Sequence, residues 1–183
     1  MLLLAIGLVI FFTIHVFSST RYRPVLVGRL GEKPYKGSYA LLALLGLVLI
    51  IYGKAQAPFI AVWHPPYWTR YIVFTIMPLA LLCLAMPDLP NNLRRFIPHP
   101  MMTGILLWAA AHLTTNGDLA SMLIFGCFLL YAIYTLIPGN TYKPAKACSP
   151  VPWYRDVILV VAVIIGTLLI MRFHRYVSGV PLF

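Results

Sequence analysis

Five histidines and four carboxylates are nearly all that this 183-residue chain offers for chemistry. No two acids form a general acid–base pair. No phosphate-binding glycine loop, Gly-x-Ser-x-Gly elbow or His-Glu-x-x-His zinc motif occurs. Hydrolase and kinase chemistry therefore has no foothold, and no residue is marked as catalytic. The histidines sit in different surroundings. His174 stands beside Arg172 and Arg175 at the end of an apolar run, and His64 lies in the aromatic stretch Trp63-His64-Pro65-Pro66-Tyr67-Trp68; both read as interfacial. His99, between two prolines, reads first as a residue at the entry to a helix and second as an additional site residue. His15 and His112 lie deep inside apolar runs, where an ionisable side chain is a functional hypothesis by default.

Each of these two histidines ends a stripe. Gly7, Phe11 and His15 recur at intervals of four, as do Gly104, Trp108 and His112, so each set lines one face of a helix. A glycine leaves room, an aromatic can pack on a flat ring, and the imidazole can ligate. With about 1.5 Å of rise per residue, His15 lies some 20 Å from one face of the membrane. His112 lies some 18 Å from the other, so the two differ in depth by about 8 Å in a core of about 30 Å. Two such imidazoles could hold one iron from both sides of a macrocycle. Interhelical hydrogen bonding is an equal reading, and a metal or proton relay is a third. Gly166, Ile170 and His174 repeat the spacing without the aromatic, and small residues also serve plain helix packing. Non-haem metal is the weaker option because no carboxylate shares either stripe. Asn116 and Asp118 could bind something at the outer face, but capping of helices is the simpler role.

The elements that must position these residues follow from composition. Apolar residues make up 61% of the chain and charged residues 10%, too few to cover a water-facing surface. Lipid must be the solvent over most of it. The net charge of +10 is scattered through short loops, which excludes a nucleic-acid stripe. Six apolar segments, at about 2–19, 38–55, 68–86, 100–115, 119–137 and 156–173, predict an all-α, polytopic transmembrane helical bundle. The fourth is short, about 24 Å long. Pro78 predicts a kink in the third, and Asp118 is placed to N-cap the fifth after a tight turn at Asn116-Gly117. The stretch Arg29-Leu30-Gly31-Glu32-Lys33-Pro34 reads as loop. The whole chain, 1–183, reads as one domain, and the apolar N-terminus as a retained first span. Cys83 and Cys127 read as small buried hydrophobes, and no cysteine pair has Cys-x-x-Cys spacing with Cys148 or otherwise.

Ten basic residues fall on one side: Arg21, Arg23, Arg29, Lys33, Lys36, Arg94, Arg95, Lys143, Lys146 and Arg155. Lys54, Arg70, Arg172 and Arg175 fall on the other. The positive-inside rule then puts the first set in the cytoplasm and both termini on the periplasmic side.

The stretch His99-Pro100-Met101, Gly104, Leu107-Trp108-Ala109, His112-Leu113, Asn116-Gly117-Asp118-Leu119-Ala120-Ser121 and Phe125-Gly126 resembles the signature of the NnrU family. The N-terminal block agrees, with Gly7-Leu8, Phe12, His15, Arg21, Arg29-Leu30-Gly31-Glu32 and Tyr35-Lys36-Gly37-Ser38-Tyr39. The resemblance covers about residues 1–137; the tail after about 138 adds little. It implies a small bacterial inner-membrane protein associated with denitrification and with nitrite and nitric oxide reductases. The sequence is also similar to the 15-cis-zeta-carotene isomerase of plants and cyanobacteria, a haem b membrane protein that isomerises a cis double bond in a polyene. That similarity implies His15 and His112 as haem-iron ligands and matches His99 to a further family histidine. It does not carry the substrate over.

Three classes of function follow. The first is a haem-dependent cis–trans isomerase of a polyene or isoprenoid-like lipid, marked by a large apolar cleft open to lipid. The second is a non-catalytic haem-bearing accessory or sensor protein that supports the nitrogen-oxide reductases, marked by a closed haem site. The third is a haem-free transporter or scaffold, marked by inverted repeats or paired broken helices. Membrane lipid is the expected partner in all three, and nucleic acid in none. Oligomeric state and electron donor have no signature in the sequence.

Overall fold

The computed structural model describes residues 1–20, 22–140 and 149–179. Arg21, Lys143, Lys146 and Cys148 lie outside the described residues. Seven α-helices follow in chain order: α1 Leu2–Ser19, α2 Arg23–Leu30, α3 Glu32–Ala55, α4 Thr69–Ala85, α5 Pro100–Leu113, α6 Leu119–Leu136 and α7 Tyr154–Ser178. A single 3-10 turn, Leu93–Arg95, precedes α5. Among the described residues there is no strand, only one isolated bridge between Ala61 and Asp118. Four helices, α1, α3, α6 and α7, are long and apolar enough to cross a membrane. The 17 residues of α4 and 14 of α5 are shorter, rising about 26 Å and 21 Å.

The stretch read as loop, Arg29-Leu30-Gly31-Glu32-Lys33-Pro34, instead falls in two helices that meet at Gly31. Pro24 falls in the first turn of α2, where its missing N–H has no partner to lose. Gly31, at φ 84°, ends α2 and starts α3 in one step. Glu32 then opens α3 where its charge suits the helix dipole, and it pairs with Lys36 one turn on at 2.7 Å. Proline, glycine and charge here mark helix ends rather than an absence of helix. Pro78 lies inside an α4 assigned as helix on both sides of it.

Across the bundle the helices neighbour one another in the order α3, α1, α6, α5, α4, α7. Helices in hydrocarbon gain little from burying one apolar side chain on another, so contact depends on close backbone approach. The α1–α3 seam is made that way. A Cβ on Gly7 would stand 2.7 Å from the Ile50 nitrogen, and one on Gly46 would stand 2.9 Å from the Phe11 nitrogen. One on Gly53 would press into the backbone of Leu3 and Leu4. Leu4, Leu8, Ile50 and Ala120 form the buried core beside this seam. Gly104 does the same for α5 on α4, where a Cβ would meet Leu84 and the Ala80 carbonyl at 2.8 and 2.9 Å. Large side chains such as Leu41, Leu44, Ile164 and Leu168 are exposed on the outer faces of α3 and α7, as a lipid-facing surface requires.

Two polar clasps hold the ends of the bundle. At one end Val62 N–H donates to the Gly117 carbonyl at 2.8 Å, and Leu119 N–H to Ile60 at 2.9 Å, so the α3–α4 connection folds over the α5–α6 turn. At the other, Asn92 donates to Asp156 from its backbone at 2.6 Å and its side chain at 2.7 Å, and exchanges hydrogen bonds with Val151. Buried Asn91 donates to the Met86 and Leu89 carbonyls. Cys83 is buried and Cys127 half-buried, and both are free.

Gly53→Ala is expected to destabilise the detergent-solubilised protein by about 1–3 kcal/mol, because the α1–α3 seam cannot admit a Cβ. Gly126→Ala, with no atom within 4 Å of the added Cβ, is the control and is expected to be neutral. Equal thermal midpoints for the two variants would mean the seam is loose.

Candidate functional site

His15 and His112 are each held the same way. The His15 Nδ1 lies 2.7 Å from the Phe11 carbonyl, and the His112 Nδ1 lies 2.8 Å from the Trp108 carbonyl. A carbonyl only accepts, so Nδ1 must donate. In the neutral ring this leaves the lone pair on Nε2, the nitrogen a metal would take. Each ring is also clamped on a face: His15 stacks on Phe11 at 4.1 Å and His112 on Phe125 at 4.6 Å. Tyr39 and Tyr131 flank His15, with ring centres 5.4 and 6.0 Å away.

The two imidazoles do not meet among the described ring contacts. Phe128 of α6 stands between their helices, 5.7 Å from Phe11 and 5.3 Å from Trp108. The route from one histidine to the other therefore runs through Phe11, Phe128 and Trp108. The room beside Gly7 and Gly104 is filled by α3 and α4 respectively, so those glycines serve helix packing.

His112 instead lines a cleft of about 50 Å³ between α4, α5 and α7, together with His174. His174 was expected at the interface; it is half-buried and faces this cleft. The sequence placed it at the interface because the apolar stretch stops at about residue 173, whereas α7 continues past it to Ser178. His99 is the N-cap residue of α5, and its carbonyl accepts from Thr103 N–H and Oγ1 at 3.0 and 3.1 Å. It lies about 20 Å along the helix from His112. His64 is exposed in the α3–α4 connection.

Asn116 and Asp118 are capping residues. Asn116 donates from N and Nδ2 to the His112 carbonyl at 3.0 and 2.8 Å, closing the end of α5. Asp118 accepts from Ser121 N–H at 3.0 Å as N-cap of α6. It also binds Lys54 Nζ at 2.6 Å, a partner the sequence did not reveal because 64 residues separate them. Burial would raise the Asp118 carboxyl, but the Lys54 ammonium and the Ser121 donors outweigh it and hold it below the usual carboxylate range. Among the described residues no three His, Cys, Asp or Glu side chains converge as a metal cluster.

The described residues define an all-helical protein, four of whose helices are long and apolar enough to cross a membrane, with two imidazoles fixed among aromatic rings. The family model described as NnrU protein matches residues 3–182, and the chain belongs to that family. The match runs through the tail that carried little of the motif resemblance. No curated protein and no solved structure matches the chain.

Since the Asp118 carboxyl is held low, the stability it contributes is full above the ordinary Asp value of about 3.9 and is lost as pH falls through the lower folded value. Wild-type protein in detergent is expected to lose thermal stability below about pH 4, and Asp118→Asn is expected to flatten that slope. Asp118→Ala is expected to cost about 0.5–2 kcal/mol at neutral pH through loss of the cap. Parallel pH slopes for wild type and Asp118→Asn would show that Asp118 titrates normally.

Proposed function

We propose that the chain spans the bacterial inner membrane six times, with both termini periplasmic, and binds haem b through imidazole. The observation that carries the haem reading is the common fixing of His15 and His112. Each Nδ1 is committed to the carbonyl one turn back, which presets Nε2 for a metal. The donor set fits iron of the haem type, since both donors are neutral nitrogen and aromatic faces adjoin each. When bound, haem supplies a one-electron redox centre and an iron that can interact with an unsaturated ligand. The chain's own part is to orient the imidazoles and to keep water away with Phe11, Trp108, Phe125 and Phe128. Holding one iron from both sides requires the contacts of Phe128 with Phe11 and Trp108 to part; holding it from one side requires only one imidazole.

A haem so held would serve either isomerisation of a polyene or isoprenoid-like lipid or an accessory or sensor role beside the nitrogen-oxide reductases. The isomerase reading rests on the flat rings of Phe11, Phe128 and Trp108, which would line a slot for a polyene if they separated.

Absorption spectra of detergent-purified protein, oxidised and dithionite-reduced, test the haem reading. A Soret band that sharpens on reduction is expected, with haem content in His15→Ala or His112→Ala reduced by at least the 10–100-fold, roughly, that lesser changes around a metal cause. A protein that stays colourless when haem is supplied during expression would sink the reading. The topology is tested by single cysteines placed at Gln56 and Phe96 in a background lacking the native ones. A membrane-impermeant thiol reagent is expected to label Gln56→Cys in intact spheroplasts and Phe96→Cys only after lysis. The reverse pattern would invert the topology.

A further inference from the structure

The cleft between α4, α5 and α7 brings together four soft or borderline donors from three helices: His112, His174, Met77 and Met171. We propose that this cleft is a binding site for a soft monovalent metal ion, of copper(I) chemistry. Imidazole and thioether are ligands that select copper(I), whereas calcium and magnesium take oxygen. None of the four carboxylates of the chain lines the cleft. The one hydroxyl there, Thr167, donates to the Val163 carbonyl at 2.7 Å.

Charge argues the same way. Every donor in the set is neutral, so the occupant's full charge is carried into an apolar surrounding. One unit of charge is far less costly there than two, since the solvation cost of an ion grows with the square of its charge. Size is consistent as well. The cleft, about 50 Å³, has room for an ion with a few water molecules. His112 already commits Nδ1 to Trp108, so Nε2 is its coordinating atom. Methionine is commonly an adaptable filler of irregular gaps, and Met77 and Met171 alone would carry no more than that. Two histidines on the same cleft change the reading, because imidazole is a poor apolar filler.

This site goes beyond the haem reading and competes with it only for Nε2 of His112. The test is titration of the full chain, purified in detergent without added haem, with copper(I) buffered by bicinchoninate under anaerobic ascorbate. About one equivalent is expected to bind, with zinc(II) unable to displace it. The double variant Met77→Leu/Met171→Leu keeps apolar volume and is expected to weaken copper(I) at least tenfold, as is His174→Ala. Circular dichroism and thermal midpoint report whether each variant is folded. His15→Ala is expected to leave copper(I) affinity unchanged, and His174→Ala to leave any haem spectrum unchanged, which separates this site from the haem reading. No copper(I) bound by folded wild type, or equal affinity in wild type and the folded variants, overturns the proposal.

Discussion

Leucine against leucine is no better than leucine against a lipid tail, so a bundle in hydrocarbon is held by whatever brings backbones close and by the few polar bonds it can close internally. In this chain the two devices divide the work. Glycine contacts join helices pairwise, with Gly7, Gly46 and Gly53 joining α1 to α3 and Gly104 joining α5 to α4. Polar clasps hold the ends, through Gly117 and the Lys54–Asp118 pair at one and Asn92 with Asp156 at the other. Where neither device acts, large aromatic rings fill the gap, which is why α6 meets α1 through Phe11, Phe12, Phe128 and Tyr131 rather than through backbone.

This division decides where the histidines go. The stripe Gly7-Phe11-His15 is fastened at its glycine to α3, and it is Tyr39 of α3 that adjoins His15. The stripe Gly104-Trp108-His112 is fastened to α4, and His112 lines the cleft against α4 and α7. Because α3 and α4 lie on opposite sides of the α1, α6, α5 series, two stripes of the same composition are drawn apart. Identical spacing in sequence specifies a shared face on each helix; it says nothing of which neighbour that face meets.

The same distinction separates what the sequence could disclose from what it could not. The bounds of α1 and α6 follow from runs of apolar residues between plain stop signals, and the Asp118 cap from its place before Leu119. Helix α2 was hidden because Pro24 and Gly31 are as good at opening and closing a helix as at breaking one. That each histidine shares a helical face with the aromatic one turn before it was legible, and each ring adjoins that aromatic. The partners across helices were not. Lys54 with Asp118, His174 with His112 and Asn92 with Asp156 are separated by roughly 60 residues each, and no local period signals such pairs.

Both sites argued for this chain meet one electrostatic condition. Three of the four carboxylates are engaged in structural bonds: Glu32 with Lys36, Asp118 with Lys54, and Asp156 with Asn92. None of these acids lines the cleft or contacts the two deep histidines, so the interior can offer a cation only uncharged donors. A divalent ion held by such donors would bring its whole charge into lipid, where each unit costs several kcal/mol even after relaxation, by the usual estimates. Ferrous iron inside a porphyrin avoids that cost because the ring carries the compensating charge with it. A copper(I) ion reduces it by carrying only one unit. The scarcity of acids that marks the chain as a membrane protein would thus also narrow any metal it holds to these least-charged forms.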